Sequence, residues 1–227
     1  GRVSNRRAPE TELARMRGLY KEEYGDFTVK HFHEELRRRH NYALGYTVTR
    51  LALQKSGDVK PAPGRGKHRK KRVRRPMVGM MLMQDGSTHR WIAPLGHDID
   101  LIVTMDDATS WIYSAFFVAQ EGTMSSFRGL RETIETHGLF SSLYTDRGSH
   151  YFHTPVAGGP PDKKTLTQLG RALKQLGIRH IPSYTPEGRG RMERVFRTLQ
   201  QRLPPMPRRA GILTIARDFS CVILTAK

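Results

Sequence analysis

The order of the apolar segments in residues 77–204 restricts the chain to a small set of folds. Three short apolar runs come first, at Val78–Gln84, Ile99–Met105 and Trp111–Val118, each with the length and composition of a buried strand. A short polar turn separates the second run from the third, which predicts an antiparallel hairpin. Helical and strand patterns then alternate, which predicts that helices and further strands extend the same sheet.

The alternating part contains three amphipathic helices and two strands. The first helix should end at Gly138, and strands are expected at Leu139–Thr145 and Ile178–Tyr184. A leucine-rich helical pattern lies between these strands, and a last helix runs from about Pro186 to Leu203. The sequence therefore predicts an α/β domain over residues 77–204, with a mixed five-stranded sheet flanked by helices.

Residues 1–58 have a different pattern, that of three short helices. The third helix carries the cations Arg50 and Lys55, and it should stop at Gly57. Three helices with tight turns suit a small all-α helix-turn-helix domain that reads DNA. A helical bundle of another kind fits the pattern equally well.

Residues 59–76 predict a basic linker, because proline and glycine interrupt any helix and nearly all its charges are positive. Such a run is often only a solvated segment. Here it joins a predicted DNA reader to a second domain, so we expect it to follow a phosphate backbone. The cations expected to do so are Lys67, Arg69, Lys70, Lys71 and Arg72.

The overall charge points to a polyanionic partner. Lysine and arginine number 39 against 21 acidic residues, which gives a net charge of +18 and an isoelectric point near 10.6. Nucleic acid is the first candidate, because cations that neutralise phosphates release counterions. A membrane partner is disfavoured, because no apolar run approaches the ~18 residues that span a bilayer. The one cysteine, Cys221, excludes an internal disulfide and fits the cytoplasm of a cell.

Three acidic residues lie where an α/β sheet presents side chains to a ligand. Asp85 follows the first apolar run and Asp146 the fourth, each close to a glycine turn. Glu193 lies on the last helix, at the shoulder of its apolar stripe. Each also has a plainer interpretation, as an Asx turn for the aspartates and as a surface Glu–Arg pair for Glu193.

These acids suit phosphodiester chemistry if the fold brings them together. Two divalent ions can stabilise both the attacking and the leaving oxygen of an in-line displacement. Mg²⁺ prefers oxygen ligands and keeps several waters, so a few carboxylates suffice to hold it. The predicted fold can bring two strand ends and one helix to a common point.

Four segments carry a resemblance to a known family: GMMLMQDGSTHRWI, LIVTMDDATSWIYSAFFV, LYTDRGSHYFHT and LGRALKQLGIRHIPSYTPEGRGRMERVFRTLQQRL. They resemble, in this order, the DDE transposases of bacterial insertion sequences, especially the ISNCY group. That family is related to retroviral integrases and has an RNase H-like catalytic core. The resemblance covers most of residues 12–203.

The resemblance implies that Asp85, Asp146 and Glu193 are the catalytic, metal-binding acids, with two Mg²⁺ or Mn²⁺ ions per site. The interval between Asp146 and Glu193 is longer than in retroviral integrases, and the excess falls in the Gly/Pro-rich loop Pro155–Lys164. It also implies DNA cleavage and strand transfer by a homo-oligomer assembled on DNA. The early helices would bind the terminal repeats of the element. The residues expected to contact the DNA end are Arg189, Arg197 and Gln200.

Other candidate ligands receive a structural interpretation. Asp106 and Asp107 are expected to serve turn chemistry after the second strand. His150 and His153 should line the DNA groove or pack locally, because hard-ion chemistry does not require imidazole. The His31/His33 pair lacks further ligands for zinc.

Two departures from the family keep an alternative open. Family members are longer, so the chain is expected to be truncated at both ends. The tail, residues 205–227, loses the family pattern after about Ile215 and looks degenerate. The alternative is therefore a catalytically inactive, DNA-binding remnant of a transposase. A nuclease for RNA–DNA hybrids is a third and weaker hypothesis, since the same carboxylate geometry supports it.

Overall fold

The computed structural model describes residues 8–64, 72–156, 159–162 and 164–211. The chain forms two compact units, Gly1–His68 and Arg69–Lys227. Among the described residues, no helix has the length and apolar character needed to cross a membrane.

The first unit is a three-helix arrangement, as the periodicity predicts. Its helices are α1 (Glu10–Glu23), α2 (Val29–Arg39) and α3 (Tyr46–Lys55). Thr28 begins α2 by accepting a hydrogen bond from the backbone N–H of His31 at 3.3 Å. The helices enclose a mainly aromatic core that includes Met16, Tyr20, Tyr24, Phe32, Leu36 and Leu53.

The second unit is built on one mixed sheet, which confirms the predicted fold class. Its strands are β1 (Leu82–His89), β2 (Ile99–Asp106), β3 (Ile112–Val118), β4 (Ser142–Thr145) and β5 (Arg179–Pro182). The spatial order is β3-β2-β1-β4-β5. The β1–β2 and β2–β3 pairs are antiparallel, whereas β4 runs parallel to both β1 and β5.

Helices cover both faces of this sheet. They are α4 (Thr123–His137), α5 (Gln168–Gln175), α6 (Pro186–Arg202) and the short α7 (Pro205–Ala210). Because side chains alternate along a strand, Leu82 joins the core under α4 and α5, whereas Met83 joins the core under α6. The predicted stripe of α6 is confirmed, since Met192 and Phe196 are buried there. Met206 of α7 packs on the same core.

The first strand begins and ends later than predicted. Val78 is exposed, and Gly79 has a φ of +75°, so a turn occupies the start of the apolar run. The strand continues through polar residues because each pairs with a residue of β2, as far as His89 opposite Ile99. Asp85 therefore lies within β1 and not at its end, which corrects the sequence-based placement.

Candidate active site

Asp85 faces α6, because it shares the parity of Met83 along β1. It is 6% exposed. The Nη2 of Arg189, on α6, donates to both of its carboxylate oxygens at 2.9 and 2.6 Å. Burial raises the pKa of Asp85 to about 6; the Arg189 hydrogen bond and charge oppose this rise, while the charges of Asp146 and Glu121 add to it. Asp85 is thus a buried carboxylate that depends on a nearby cation.

Asp146 follows β4, as predicted, and approaches Asp85 because β1 and β4 are adjacent parallel strands. Its Oδ1 accepts a hydrogen bond from the backbone N–H of Gly148 at 2.9 Å. This is the Asx-type contact of the plainer interpretation. The other oxygen, Oδ2, lies 4.0 Å from Nη1 of Arg189. One guanidinium therefore connects the two predicted catalytic aspartates.

Glu193 lies one turn beyond Arg189 on the same helix and is exposed. Burial by itself would lower the pKa of Arg189, but the hydrogen bond to Asp85 and the charges of Asp85, Asp146 and Glu193 raise it. Glu193 thus acts electrostatically on the guanidinium that the two aspartates contact. Two of the three predicted acids thus contact one cation of the chain, and the charge of the third acts on it from the next turn of α6.

A close approach of α6 to the sheet sets this geometry. A Cβ atom added to Gly188 would overlap Oη of Tyr144 and would lie 3.0 Å from Cζ of the same ring. The Tyr144 hydroxyl donates to Oγ of Ser183 at 2.8 Å, so the ring is held in place. Glycine at 188 allows the start of α6 to pack directly against β4, and this contact brings Arg189 to Asp85.

The residues present fit a divalent cation in chemistry, since Asp85, Asp146 and Glu193 offer oxygen ligands and the buried Asp85 already requires a cation partner. In the part of the chain that the structure describes, however, no group of three or more His, Cys, Asp or Glu is spaced to hold a metal ion. The guanidinium of Arg189 lies between the two aspartates.

Glu121 is a fourth acid near the site, and the sequence-based reasoning missed it. A Cβ on Gly86, the residue after Asp85, would overlap the Glu121 carboxylate. Glu121 also lies 3.4 Å from both the Tyr151 hydroxyl and Nε2 of His150. His150 therefore packs locally beside the site, one of the two roles expected for it. No motif marks Glu121, because its approach depends on the β3–α4 connection.

The neighbouring aspartates after β2 differ in role. Asp106 serves the turn, as predicted, because its Oδ2 accepts from the backbone N–H and the hydroxyl of Thr109 at 2.8 and 2.9 Å. Asp107 instead pairs with the guanidinium groups of Arg72, at 2.5 Å, and Arg191. Its carboxylate also accepts from the backbone N–H of Arg75 at 2.8 Å. Turn chemistry is therefore the wrong interpretation for the Asp107 side chain.

Three of the residues predicted to bind DNA are engaged within the protein. Arg72 pairs with Asp107, Arg189 pairs with Asp85, and Gln200 donates to Oγ of Ser87 at 3.1 Å. Lys55 and Arg197 are exposed, whereas Arg50 is half-buried. The predicted linker cations Lys67, Arg69, Lys70 and Lys71 lie outside the described residues.

Comparisons with known proteins agree with the fold. The chain is 30% identical over 214 residues to the putative transposase y4bF of Sinorhizobium fredii (strain NBRC 101917 / NGR234), covering 93% of this chain and 46% of that protein. It is 31% identical over 133 residues to the transposase for insertion sequence IS1202 of Streptococcus pneumoniae, covering 59% of this chain and 28% of that one. The chain thus spans less than half the length of these curated relatives. No protein-family model matches it.

Among solved structures, a chain of the simian T-cell lymphotropic virus intasome in complex with PP2A regulatory subunit B56 gamma has a similar fold. The TM-score is 0.54 at 19% identity, covering 80% of this chain and 60% of that one. The mixed five-stranded sheet with helices on both faces has the same RNase H-like architecture. The chain is therefore a relative of the insertion-sequence transposases, with a core of the retroviral-integrase type.

Proposed function

We propose that this chain is the part of a DDE transposase that cuts DNA at the end of a mobile element and joins it to target DNA. The observation that carries the proposal is the convergence of Asp85 and Asp146 on one cation, at 2.6 and 4.0 Å from the Arg189 guanidinium. Asp85 and Asp146 come from adjacent parallel strands, and because like charges repel, their approach to a common point requires a cation there.

Asp85, Asp146 and Glu193 would hold two Mg²⁺ or Mn²⁺ ions, which supply charge stabilisation at the attacking and leaving oxygens. The β1–β4 pairing brings Asp146 towards Asp85, and the Gly148 N–H orients the Asp146 carboxylate, which supports this role. Glu193 is exposed on α6, so it can complete the ligand set from the solvent side of the site.

The remainder of the chain supplies affinity for DNA. The net charge of +18 favours a phosphate backbone, and Arg197 is exposed on α6 one turn beyond Glu193. In the first unit, α3 carries Lys55 on its exposed side and would read the terminal repeats. Assembly of several copies on DNA follows from the resemblance to the family and remains a prediction.

The test is nicking of supercoiled plasmid DNA in Mg²⁺ or Mn²⁺. Replacing Asp146 by Asn should reduce the rate about a thousandfold, because metal-held charge stabilisation contributes several kcal/mol. Asp98→Asn is the matched control: it makes the same change of charge at an exposed residue whose one ion pair among the described residues is with the exposed Arg90. The control should nick at the wild-type rate, and both variants should bind duplex DNA as the wild type does.

If Asp146→Asn nicks at the wild-type rate, the assignment of the site is wrong. If the wild-type chain nicks with neither metal but binds DNA with a steep dependence on salt, the chain is the DNA-binding remnant instead. The slope expected for that binding is about 0.9 log units of affinity per phosphate contact and log unit of salt.

A further inference from the structure

The acidic centre contains a cation of its own, Arg189. Its Nη2 bonds both oxygens of Asp85, and its Nη1 lies 4.0 Å from Asp146. The charge of Glu193, one turn further along α6, also stabilises the charged guanidinium. All three predicted metal ligands therefore act on a single side chain.

This contact satisfies a strict requirement of the buried carboxylate. Asp85 is 6% exposed, and a buried charge without a counterion is strongly destabilising. Among the described residues, Arg189 is the one cation that forms an ion pair with Asp85. Whenever no metal is bound, Arg189 must therefore remain in place to stabilise the fold around β1.

A divalent ion held by Asp85 and Asp146 would lie beside the same guanidinium. Like charges at such short range repel strongly where water is scarce. Arg189 is 38% exposed along its side chain and has a long, flexible stem, so it can leave towards solvent without moving α6. The two cations therefore exclude each other at this position.

We propose that Arg189 is an exchangeable counter-cation of the acidic centre: it holds Asp85 and Asp146 together before metal enters, and is displaced when metal binds. The inference rests on the proposed function, because it takes these acids to be the metal ligands. The displaced guanidinium is then available for a DNA phosphate, for which its planar fork is well suited. Arg189 is thus a positioning residue before metal binding and a DNA ligand afterwards.

The test measures binding of Mn²⁺ alone, without DNA, by isothermal titration calorimetry. Arg189→Gln should bind Mn²⁺ about tenfold more tightly than the wild type, because the metal no longer displaces a charged hydrogen-bond partner. Arg194→Gln is the matched control: it removes the same charge from an exposed position of the same helix and should leave the affinity unchanged. The melting temperature of Arg189→Gln should also rise more on addition of Mn²⁺.

If Arg189→Gln does not fold, Arg189→Lys gives the answer, because lysine keeps the charge but has one nitrogen, whereas Arg189 presents Nη2 to Asp85 and Nη1 to Asp146. It should bind Mn²⁺ more tightly than the wild type by a smaller factor. Equal or weaker Mn²⁺ affinity in the folded variant would overturn the proposal.

A second arm separates this proposal from the proposed function. Asp146→Asn should weaken Mn²⁺ binding; if it does not, the metal site itself is wrong. If Asp146→Asn weakens the binding but Arg189→Gln does not tighten it, only the exchange by Arg189 fails. Ca²⁺ also prefers oxygen ligands and can occupy the site during DNA-binding measurements. In Ca²⁺, the affinity of the wild type for a short DNA duplex should depend more steeply on salt than that of Arg189→Gln, by the amount of about one phosphate contact. Equal slopes would contradict the transfer of Arg189 to phosphate.

Discussion

Replacing Gly188 by alanine tests the contact that brings α6 to the sheet. The added Cβ would overlap the hydroxyl of Tyr144 and would lie 3.0 Å from its Cζ and 3.4 Å from Oγ of Ser183. The Tyr144 ring is buried, and its hydroxyl is bonded to Ser183 at 2.8 Å, so it cannot turn aside without breaking that bond. Either the ring or α6 must move.

The expected loss of stability follows from three contributions. Overpacking a buried site costs about 1–3 kcal/mol, and loss of a buried hydrogen bond costs about 1 kcal/mol. Alanine returns about 0.5–1 kcal/mol of helix propensity relative to glycine. Gly188→Ala should therefore destabilise the second unit by about 2 kcal/mol. Gly190→Ala is the matched control, because a Cβ there meets no atom within 4 Å. It should be neutral or slightly stabilising.

Urea unfolding followed by tryptophan fluorescence isolates the relevant unit. The chain has two tryptophans, Trp91 and Trp111, and both lie in the second unit. With a slope of about 2 kcal/mol per molar urea, the midpoint of Gly188→Ala should fall by about 1 M, and that of Gly190→Ala should not fall.

The double variant Tyr144→Phe/Gly188→Ala should recover part of the loss, because it removes the overlapping oxygen but keeps the carbon at 3.0 Å. Plasmid nicking by Gly188→Ala should also fall by about a hundredfold, because a shift of about 1 Å misplaces catalytic groups. Equal midpoints for the two alanine variants would refute the close approach of α6 to Tyr144.

Two further perturbations probe buried charges of the second unit. Asp107→Asn should destabilise this unit by about 3–5 kcal/mol, because two guanidinium groups lose their buried partner. Asp98→Asn, at an exposed ion pair, is the control, and urea unfolding measures both variants. Equal midpoints would contradict the prediction. Burial lowers the pKa of His180 from 6.5 to about 4 and so keeps its imidazole neutral in the folded state. The full stability is therefore present above pH 6.5, and part of it is lost as the pH falls from 6.5 towards 4. The resulting loss in the free energy of unfolding is about 3 kcal/mol. Between pH 7 and 4, the free energy of unfolding of His180→Gln should therefore fall by about 3 kcal/mol less than that of the wild type. Equal falls in the two proteins would contradict this expectation.

The element order was predictable because apolar periodicity is a property of the local sequence. The boundaries of β1 were not, because its second half is polar and becomes a strand only through pairing with β2. The segment Gly86–His89 contains no local signal that predicts its pairing with β2. The placement of Asp85 at a strand end was wrong for that reason, although its participation in an acidic pair was anticipated.

Contacts between distant segments mark the limit of sequence reasoning at the site. Asp106 could be assigned to turn chemistry because its partner, Thr109, is three residues away. The adjacent Asp107 pairs with Arg72 and Arg191, which are 35 and 84 residues away, so spacing gives no indication of them. Glu121 was missed for the same reason, since only the fold brings it against β1.

Two arginines of α6, separated by one residue, make opposite kinds of ion pair. Arg191 pairs with Asp107, which is fully buried. The Asp107 carboxylate also pairs with Arg72 and accepts a hydrogen bond from the backbone N–H of Arg75. Burial alone would raise the pKa of Asp107, but these donors lower it, so the charged form is strongly favoured. Arg189 is the only cation that pairs with Asp85 among the described residues, and there burial, with smaller additions from neighbouring acids, leaves the pKa of Asp85 raised.

This difference gives each pair a distinct role. Asp107 is satisfied by donors from three positions of the protein, so nothing is gained by exchanging any of them, and Arg191 holds α6 in place. Asp85 forms its ion pair with Arg189 alone among the described residues, so under the proposed exchange one guanidinium leaves when a divalent ion arrives. Because Arg191 fixes the helix, Arg189 can leave Asp85 while Glu193 stays at the site. The proposed exchange at Asp85 would thus leave α6 held in place through Arg191 and Asp107.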